Sequence, residues 1–489
     1  MGEDLSLFRA EFNKSIRMET RPEHLTSDSG VLALREALDK LRMSEWLEEH
    51  LKDDRDENLI TYSLAELVRT SVLLLALGYR DQDDADLLWK DPALRLAVSE
   101  RKGITPLAHI DRPEGAPRPT NPVQPEGLAS QPTLSRLDTR LASAENRVTL
   151  RHSLMEGSAR RINAVRGHRF RNLTIDVDSL PIEVHGHQPE AEYNGHYHAT
   201  IYHPILATVG ETGDILDLDL RRGRAHTAEG ATDFILDVLA RAEESICQVA
   251  AVRIDAGFPE EGLLSALEGR STPYVSREKK NPVLERMAEP YLRRPPGRRP
   301  AEPRTWFYEL TYKAEKWSRS RRVVLVVMEE KDDLYLKHFW LITNYAAENM
   351  SGEKLLEMYR KRGAAEGYMG ELMSVLSPAL SSSPRPKSNY RGEVPSAVSD
   401  SVDALAQNEV RLLLNALAYN LMHVTRCLIA EATGEGWSLQ RFREQLLKVP
   451  ARVLLHGKRA TFVIGQRAAG LWKLLWQKLE RLEFAVPAS

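Results

Sequence analysis

The chain has 489 residues, 42% apolar and 28% charged, with a net charge of −3 at pH 7. That length exceeds one core, so two or three domains are expected. The near balance of charge excludes a polycation, and any nucleic-acid surface must be local. Two cysteines, Cys247 and Cys427, exclude a disulfide framework and a Cys-x-x-Cys site, and fit a reducing cytoplasm. The acidic start Met1-Gly2-Glu3-Asp4 has no signal-peptide pattern.

Residues 27 to 100 read as helices. Ser27 and Asp28 suit the start of one that runs through Leu32, Leu34, Leu38 and Leu41. Ser63-Leu64-Ala65-Glu66 is a capping box. The apolar stripe behind it predicts a largely buried helix to Leu77. That stretch contains Glu66 and Arg69 and is too short to cross a bilayer, so no membrane partner is expected. Asp91-Pro92 opens another helix. Seven prolines between 103 and 132 mark a linker or extended loop, and Ser130 to Leu137 then leads into a helix carrying Arg136 and Arg140.

From Phe170 the pattern changes to short strands. In Thr174-Ile175-Asp176-Val177-Asp178-Ser179-Leu180 the side chains alternate, so Asp176 and Asp178 share a face. Taken alone, this is either a strand with a solvated outer face or a carboxylate platform for a hard cation. Strands are predicted near Ile201 to Val209 and Ile215 to Leu220, joined by the turn Glu211-Thr212-Gly213-Asp214. A helix follows from about Ala228 to Ala242. The apolar strand Val249 to Ile254 then ends on Asp255, with Gly257 behind it, a position where sites and helix caps both occur in α/β folds.

Residues 290 to 325 hold ten Lys or Arg against three Glu. Arg319, Arg321 and Arg322 stand among Trp306, Tyr308, Tyr312 and Trp317, a mixture suited to phosphate neutralisation and base stacking. Strands are predicted near Thr305 to Lys313, Val323 to Met328 and Leu334 to Thr343. In the helix beyond, Tyr359, Arg362 and Glu366 fall on one face by spacing. A long buried helix is predicted from Val402 to Glu431, then strands at Ala451 to Leu455 and Ala460 to Ile464, then a last helix.

Three acids, Asp178, Asp255 and Glu366, thus lie on a first strand, a later strand and a helix after a β-rich insertion. This order resembles that of DDE transposases with an RNase H-like core. Tyr359-x-x-Arg362-x-x-x-Glu366 resembles the Y-x-x-R-x-x-x-E signature of insertion-sequence transposases. Asp176-Val177-Asp178-Ser179, His185-Gly186-His187-Gln188, Arg253 to Phe258 and Arg411 to Asn420 extend the resemblance to the IS-thirteen-eighty family over nearly the whole chain. The signature usually continues to a lysine seven residues past its Glu. Here that residue is Met373, and Lys387 is a candidate replacement. Either Asp176 or Asp178 can be the first acid; Asp178 is preferred because a small hydroxyl residue follows it, with Asp176 as a same-face helper.

The resemblance implies an α/β fold: an RNase H-like catalytic core with a β-rich insertion, preceded by an all-α N-terminal domain and followed by C-terminal helices. The expected boundaries are 1–145 for the helical DNA-binding or dimerisation domain with its linker, 165–285 and 351–435 for the two core parts, 286–350 for the basic insertion and 436–489 for the C-terminal region. It implies two Mg²⁺ ions, replaceable by Mn²⁺, on Asp178, Asp255 and Glu366, and DNA contacts from Tyr359, Arg362, Arg319, Arg321, Arg322, Trp306, Trp317 and Lys387. The activity implied is two-metal phosphoryl transfer: cleavage at terminal inverted repeats, then joining of the 3′-hydroxyl to target DNA by a homodimer or larger synaptic assembly. The setting implied is the bacterial cytoplasm, at the nucleoid. Two rivals compete: a transposase descendant that only binds DNA, and a metal-dependent nuclease or hydrolase. Six histidines between 185 and 226 raise the second as a zinc site.

Overall fold

The computed structural model describes residues 11–13, 15–16, 23–56, 58, 60–99, 127–164, 171–184, 188–294, 302–331, 335–381, 404–456 and 459–482. The chain forms two compact units, one of residues 1–137 with 421–482 and one centred on residues 138–420.

The first unit is built from both ends of the chain. Ser63 caps the helix Leu64–Leu77 by accepting from the Glu66 amide, and Asp91 caps Pro92–Val98 by accepting from the Ala93 and Leu94 amides. At the other ends, arginines meet orphan carbonyls. Buried Arg69 donates twice to Val98 O, and Arg443 donates to Ala76 O at 2.9 Å. The segment His24–Thr26 pairs antiparallel with Ala451–His456, which pairs with Arg459–Ile464. Ser29 Oγ donates to Val449 O at 2.6 Å, and the Gly30 amide to Leu447 O. A Cβ on Gly30 would lie 2.1 Å from Leu446 O, so only glycine permits this approach.

The second unit holds an eight-stranded mixed sheet. In chain order its strands are β1 (Leu173–Ser179), β2 (Ile205–Val209), β3 (Ile215–Asp219), β4 (Val249–Ile254), β5 (Tyr274–Glu278), β6 (Arg304–Tyr312), β7 (Arg321–Glu329) and β8 (Lys337–Thr343). Their order across the sheet is β3-β2-β1-β4-β5-β8-β7-β6. β1, β4 and β5 run parallel, and every other neighbouring pair is antiparallel. The basic segment therefore extends the main sheet through the β5–β8 pairing.

The helices of this unit are α1 (Ala144–Ala164), α2 (Ala231–Ser245), α3 (Glu261–Gly269), α4 (Gly352–Arg360) and α5 (Arg362–Glu371). One face of the sheet buries Ile175, Val177, Val252, Ile254, Leu325 and Trp340 with residues of α2 and α3. Val275, Val324, Val326 and Leu341 pack with Leu355 and Leu356 of α4. Edge strand β3 is closed by side chains. Asn420 accepts from Ile215 N at 3.0 Å and donates to Ile215 O at 2.8 Å, while Arg151 of α1 bonds both oxygens of buried Asp217. The helix Ala404–Thr433 that carries Asn420 is long and apolar enough to cross a bilayer, but most of its apolar stretch is buried inside the protein.

Candidate active site

Parallel β1 and β4 set the height of two acids. Asp176 faces Arg253 and Val177 faces Ile254 in register. Asp178 and Asp255 are one step further on, at the carboxyl ends of neighbouring parallel strands. The Asp255 carboxylate accepts from the Gly257 amide at 2.7 Å, and its carbonyl accepts from Ser276 Oγ at 2.9 Å. A Cβ on Gly257 would fall 2.7 Å from Thr227 Cγ2 and 3.0 Å from Asp255 Oδ1. Glycine lets the chain turn tightly beneath this carboxylate.

Glu366 comes to the same place through Arg362. The Arg362 guanidinium donates through Nη1 to Glu366 Oε1 at 2.7 Å and through Nη2 to Asp178 Oδ2. The Tyr359 to Glu366 stretch spans a break, because α4 ends at Arg360 and α5 starts at Arg362. Gly363 follows the break, and the buried Arg362 is turned inward. Burial pushes the Asp178 carboxyl up to about 6. Arg362 opposes that rise, and the charges of Asp255 and Glu366 add to it. Asp178 thus feels the charge of both other acids, although only Asp178 and Glu366 share a bonded partner.

Asp176 points to the same side but has a different partner. Arg253 grips both its oxygens, and Arg253 Nη1 also donates to Met358 O of α4 at 3.1 Å. Asp176 is thereby a buried strut beneath the site.

The basic β segment is largely engaged with its own unit. Arg321 is buried, bonds Glu261 and Glu268 of α3, and stacks on Trp317 at 4.9 Å. It holds the Glu261 carboxyl down to about 2. Arg319 bonds Glu268, and Arg322 bonds Glu309 and the carbonyls of Tyr345 and Met350. Trp317 is buried, and Trp306 packs half-buried against the core. Tyr359 is half-buried in the cluster on the α4 side. Lys387, His185 and His187 lie outside the described residues.

Tyr197, His203 and Arg277 also stand near the acids. The charges of Asp178 and Asp255 reach Tyr197, whose hydroxyl pKa is raised by burial first and by these acids second. Its ring meets His203 edge-on at 5.7 Å, and His203 Nδ1 lies 2.9 Å from Ala225 O. Arg277 of β5 stacks over Phe339 and acts on Tyr359. His203 is one of the six histidines between 185 and 226, whereas nothing in the spacing of Tyr197 or Arg277 sets them apart in the sequence.

Three carboxylates are the right kind of donor for a hard divalent cation. As placed, they do not fit one. Among the described residues no three His, Cys, Asp or Glu side chains are grouped to hold an ion, and Arg362 bridges two of the acids instead.

A family model described as "Transposase DDE domain group 1" matches residues 8–389 and 396–485. No curated protein matches the sequence. The cryo-EM structure of a piggyBac transposase synaptic complex with hairpin DNA is 11% identical, with 95% of this chain and 87% of that chain covered at a TM-score of 0.41. That likeness is too distant to transfer a residue's role.

Proposed function

The chain belongs to the transposase DDE domain family, group 1, and on that premise we propose that it is the DNA transposase of a bacterial insertion sequence of the IS-thirteen-eighty kind. In this reading it binds terminal inverted repeats, cleaves DNA phosphodiesters and joins the freed 3′-hydroxyl to target DNA. The observation that carries the reading is the equal height of Asp178 and Asp255 on parallel β1 and β4, with Glu366 tied to Asp178 through Arg362. The β3-β2-β1-β4-β5 order supports an RNase H-like core, with the basic strands as its insertion.

Phosphoryl transfer asks the protein chiefly for alignment and charge neutralisation. Asp178, Asp255 and Glu366 are the proposed holders of two Mg²⁺ ions, for which Mn²⁺ can substitute; bound there, the ions would supply charge neutralisation at the reacting phosphate. Arg362 has the planar fork that grips a phosphate, and Tyr359 lies beside it. Two DNA ends must be held at once, which supports a homodimer or larger synaptic assembly, acting in the bacterial cytoplasm at the nucleoid. The test is Asp255→Ala. The variant should lose cleavage of a plasmid bearing the element's ends and still retard a terminal-repeat duplex in a gel. Cleavage at the full wild-type rate would overturn the assignment.

A further inference from the structure

We propose that Arg362 is a latch on the acid cluster: it neutralises Asp178 and Glu366 while DNA is absent, and it must leave them before a divalent cation can enter. The proposal rests on the reading of these acids as metal ligands.

Four observations lead to it. First, one guanidinium engages a carboxylate oxygen of each acid, the hard oxygens a small divalent cation requires. With the bridge in place, no three such side chains among the described residues are grouped to hold an ion. Second, the latched pose leaves an unmet need. Arg362 is 9% exposed, and its Nε is buried without a hydrogen-bond partner, a costly state for a charged donor. A phosphate diester offers that fork the oxygens it lacks, in a geometry guanidinium prefers.

Third, Arg362 and Glu366 share a segment with a break at each end. Before α5 the helix is interrupted at Lys361. After it comes a wide turn of helix over Leu372–Leu376, closed by Ser377 at φ 48°. Within α5, a Cβ on Gly363, Gly367 or Gly370 would meet nothing within 4 Å. Fourth, the Glu366 side chain is 60% exposed, whereas that of Asp178 is 14% exposed. The Glu366 half of the bridge faces solvent, where an arriving phosphate competes directly for the guanidinium. The latch makes readiness to cut depend on DNA already being in place.

The test measures Mn²⁺ binding to the full chain without DNA, following free Mn²⁺ by electron paramagnetic resonance. Arg362→Gln should bind Mn²⁺ at least ~10-fold tighter than wild type, since it removes the competing charge. Arg362→Lys should fall between, because a point charge cannot fork to both acids. Adding Asp178→Asn should erase the gain in either background. Equal Mn²⁺ affinity in wild type and both Arg362 variants, or a gain that survives Asp178→Asn, overturns the latch. If Arg362→Gln does not fold, Arg362→Lys alone decides by the same comparison. Equal affinities together with a cleavage-dead Asp255→Ala would sink the latch and leave the transposase reading standing. An Asp255→Ala protein that cuts normally would sink the reading beneath it.

Discussion

Arg253 on β4 closes on Asp176 of β1 with two parallel bonds, Nε to Oδ1 at 2.5 Å and Nη2 to Oδ2 at 2.6 Å, both side chains being almost wholly buried. Removing one member leaves a buried charge alone, which costs roughly 3–5 kcal/mol. Asp176→Ala should therefore lower the urea midpoint sharply. The double replacement Asp176→Leu with Arg253→Met should recover most of the loss, because paired apolar groups need no partner. An Asp176→Ala protein as stable as wild type would return Asp176 to the reacting centre.

Gly257 offers a test of geometry near Asp255. In Gly257→Ala the added methyl would meet Thr227 and the Asp255 carboxylate. The carboxylate or the loop must shift by a few tenths of an ångström. Cleavage should fall by ~10²-fold, as for a displaced reacting group, with a smaller change in unfolding midpoint. Kinetics and denaturation on the same preparation separate the two effects. Unaltered kinetics would mean that the turn does not aim this acid.

Arg321 should act on folding before it acts on DNA. It is 4% exposed and sits between Glu261 and Glu268. Arg321→Met should destabilise by roughly 3 kcal/mol, within the range for a broken buried pair. The dependence of DNA affinity on salt should keep its slope, because no phosphate contact is lost. A slope reduced by about one unit, with stability intact, would restore this arginine to the DNA interface.

Glu278, at the end of β5, supplies a pH signature. Burial pushes its carboxyl from 4.5 up to about 7, with Lys279 opposing, and its Oε2 is buried without a partner. The folded protein therefore holds a proton there that the unfolded chain releases near 4.5. That contribution to stability is complete below pH 4.5 and is lost as pH rises to about 7. Glu278→Gln keeps the shape and removes the titration. It should gain on wild type by roughly 1–3 kcal/mol between pH 5 and pH 8, read from urea unfolding at both values. A constant difference across that range would refute the shift.

Several local sequence signals match the local structure, but Ser27 and Asp28 do not cap the first helix, Val31–Lys40, whose N-cap is Gly30 with no side-chain bond. The caps at Ser63 and Asp91 start helices where expected, and the strand at Val249–Ile254 and the hairpin strands near 451 and 464 are where the alternation puts them. The 21-residue helix α1 has little apolar stripe in the sequence, because much of its buried side is polar, including Asn146, Thr149, Ser153 and Ser158. The break at Lys361 leaves no mark in the spacing, because i, i+3, i+4 spacing is the same on one helix or on two short ones in line. The duties of Asp176 and Asp178 could not be told apart, since two residues on one face differ only in what crosses the sheet to meet them. Arg319 and Arg321 look available for DNA in the sequence because their acidic partners, Glu268 and Glu261, lie 51 and 60 residues earlier in the chain.

The pairing of His24–Thr26 with Ala451–His456 sets a timetable for biogenesis. A ribosome releases the first of these strands more than four hundred residues before the second exists. The eight-stranded sheet has all its members by Thr343 and is free to form while translation continues. The terminal unit must wait with its leading helices short of their partners. Interrupted synthesis would therefore leave the terminal unit incomplete although every strand of the eight-stranded sheet is already made.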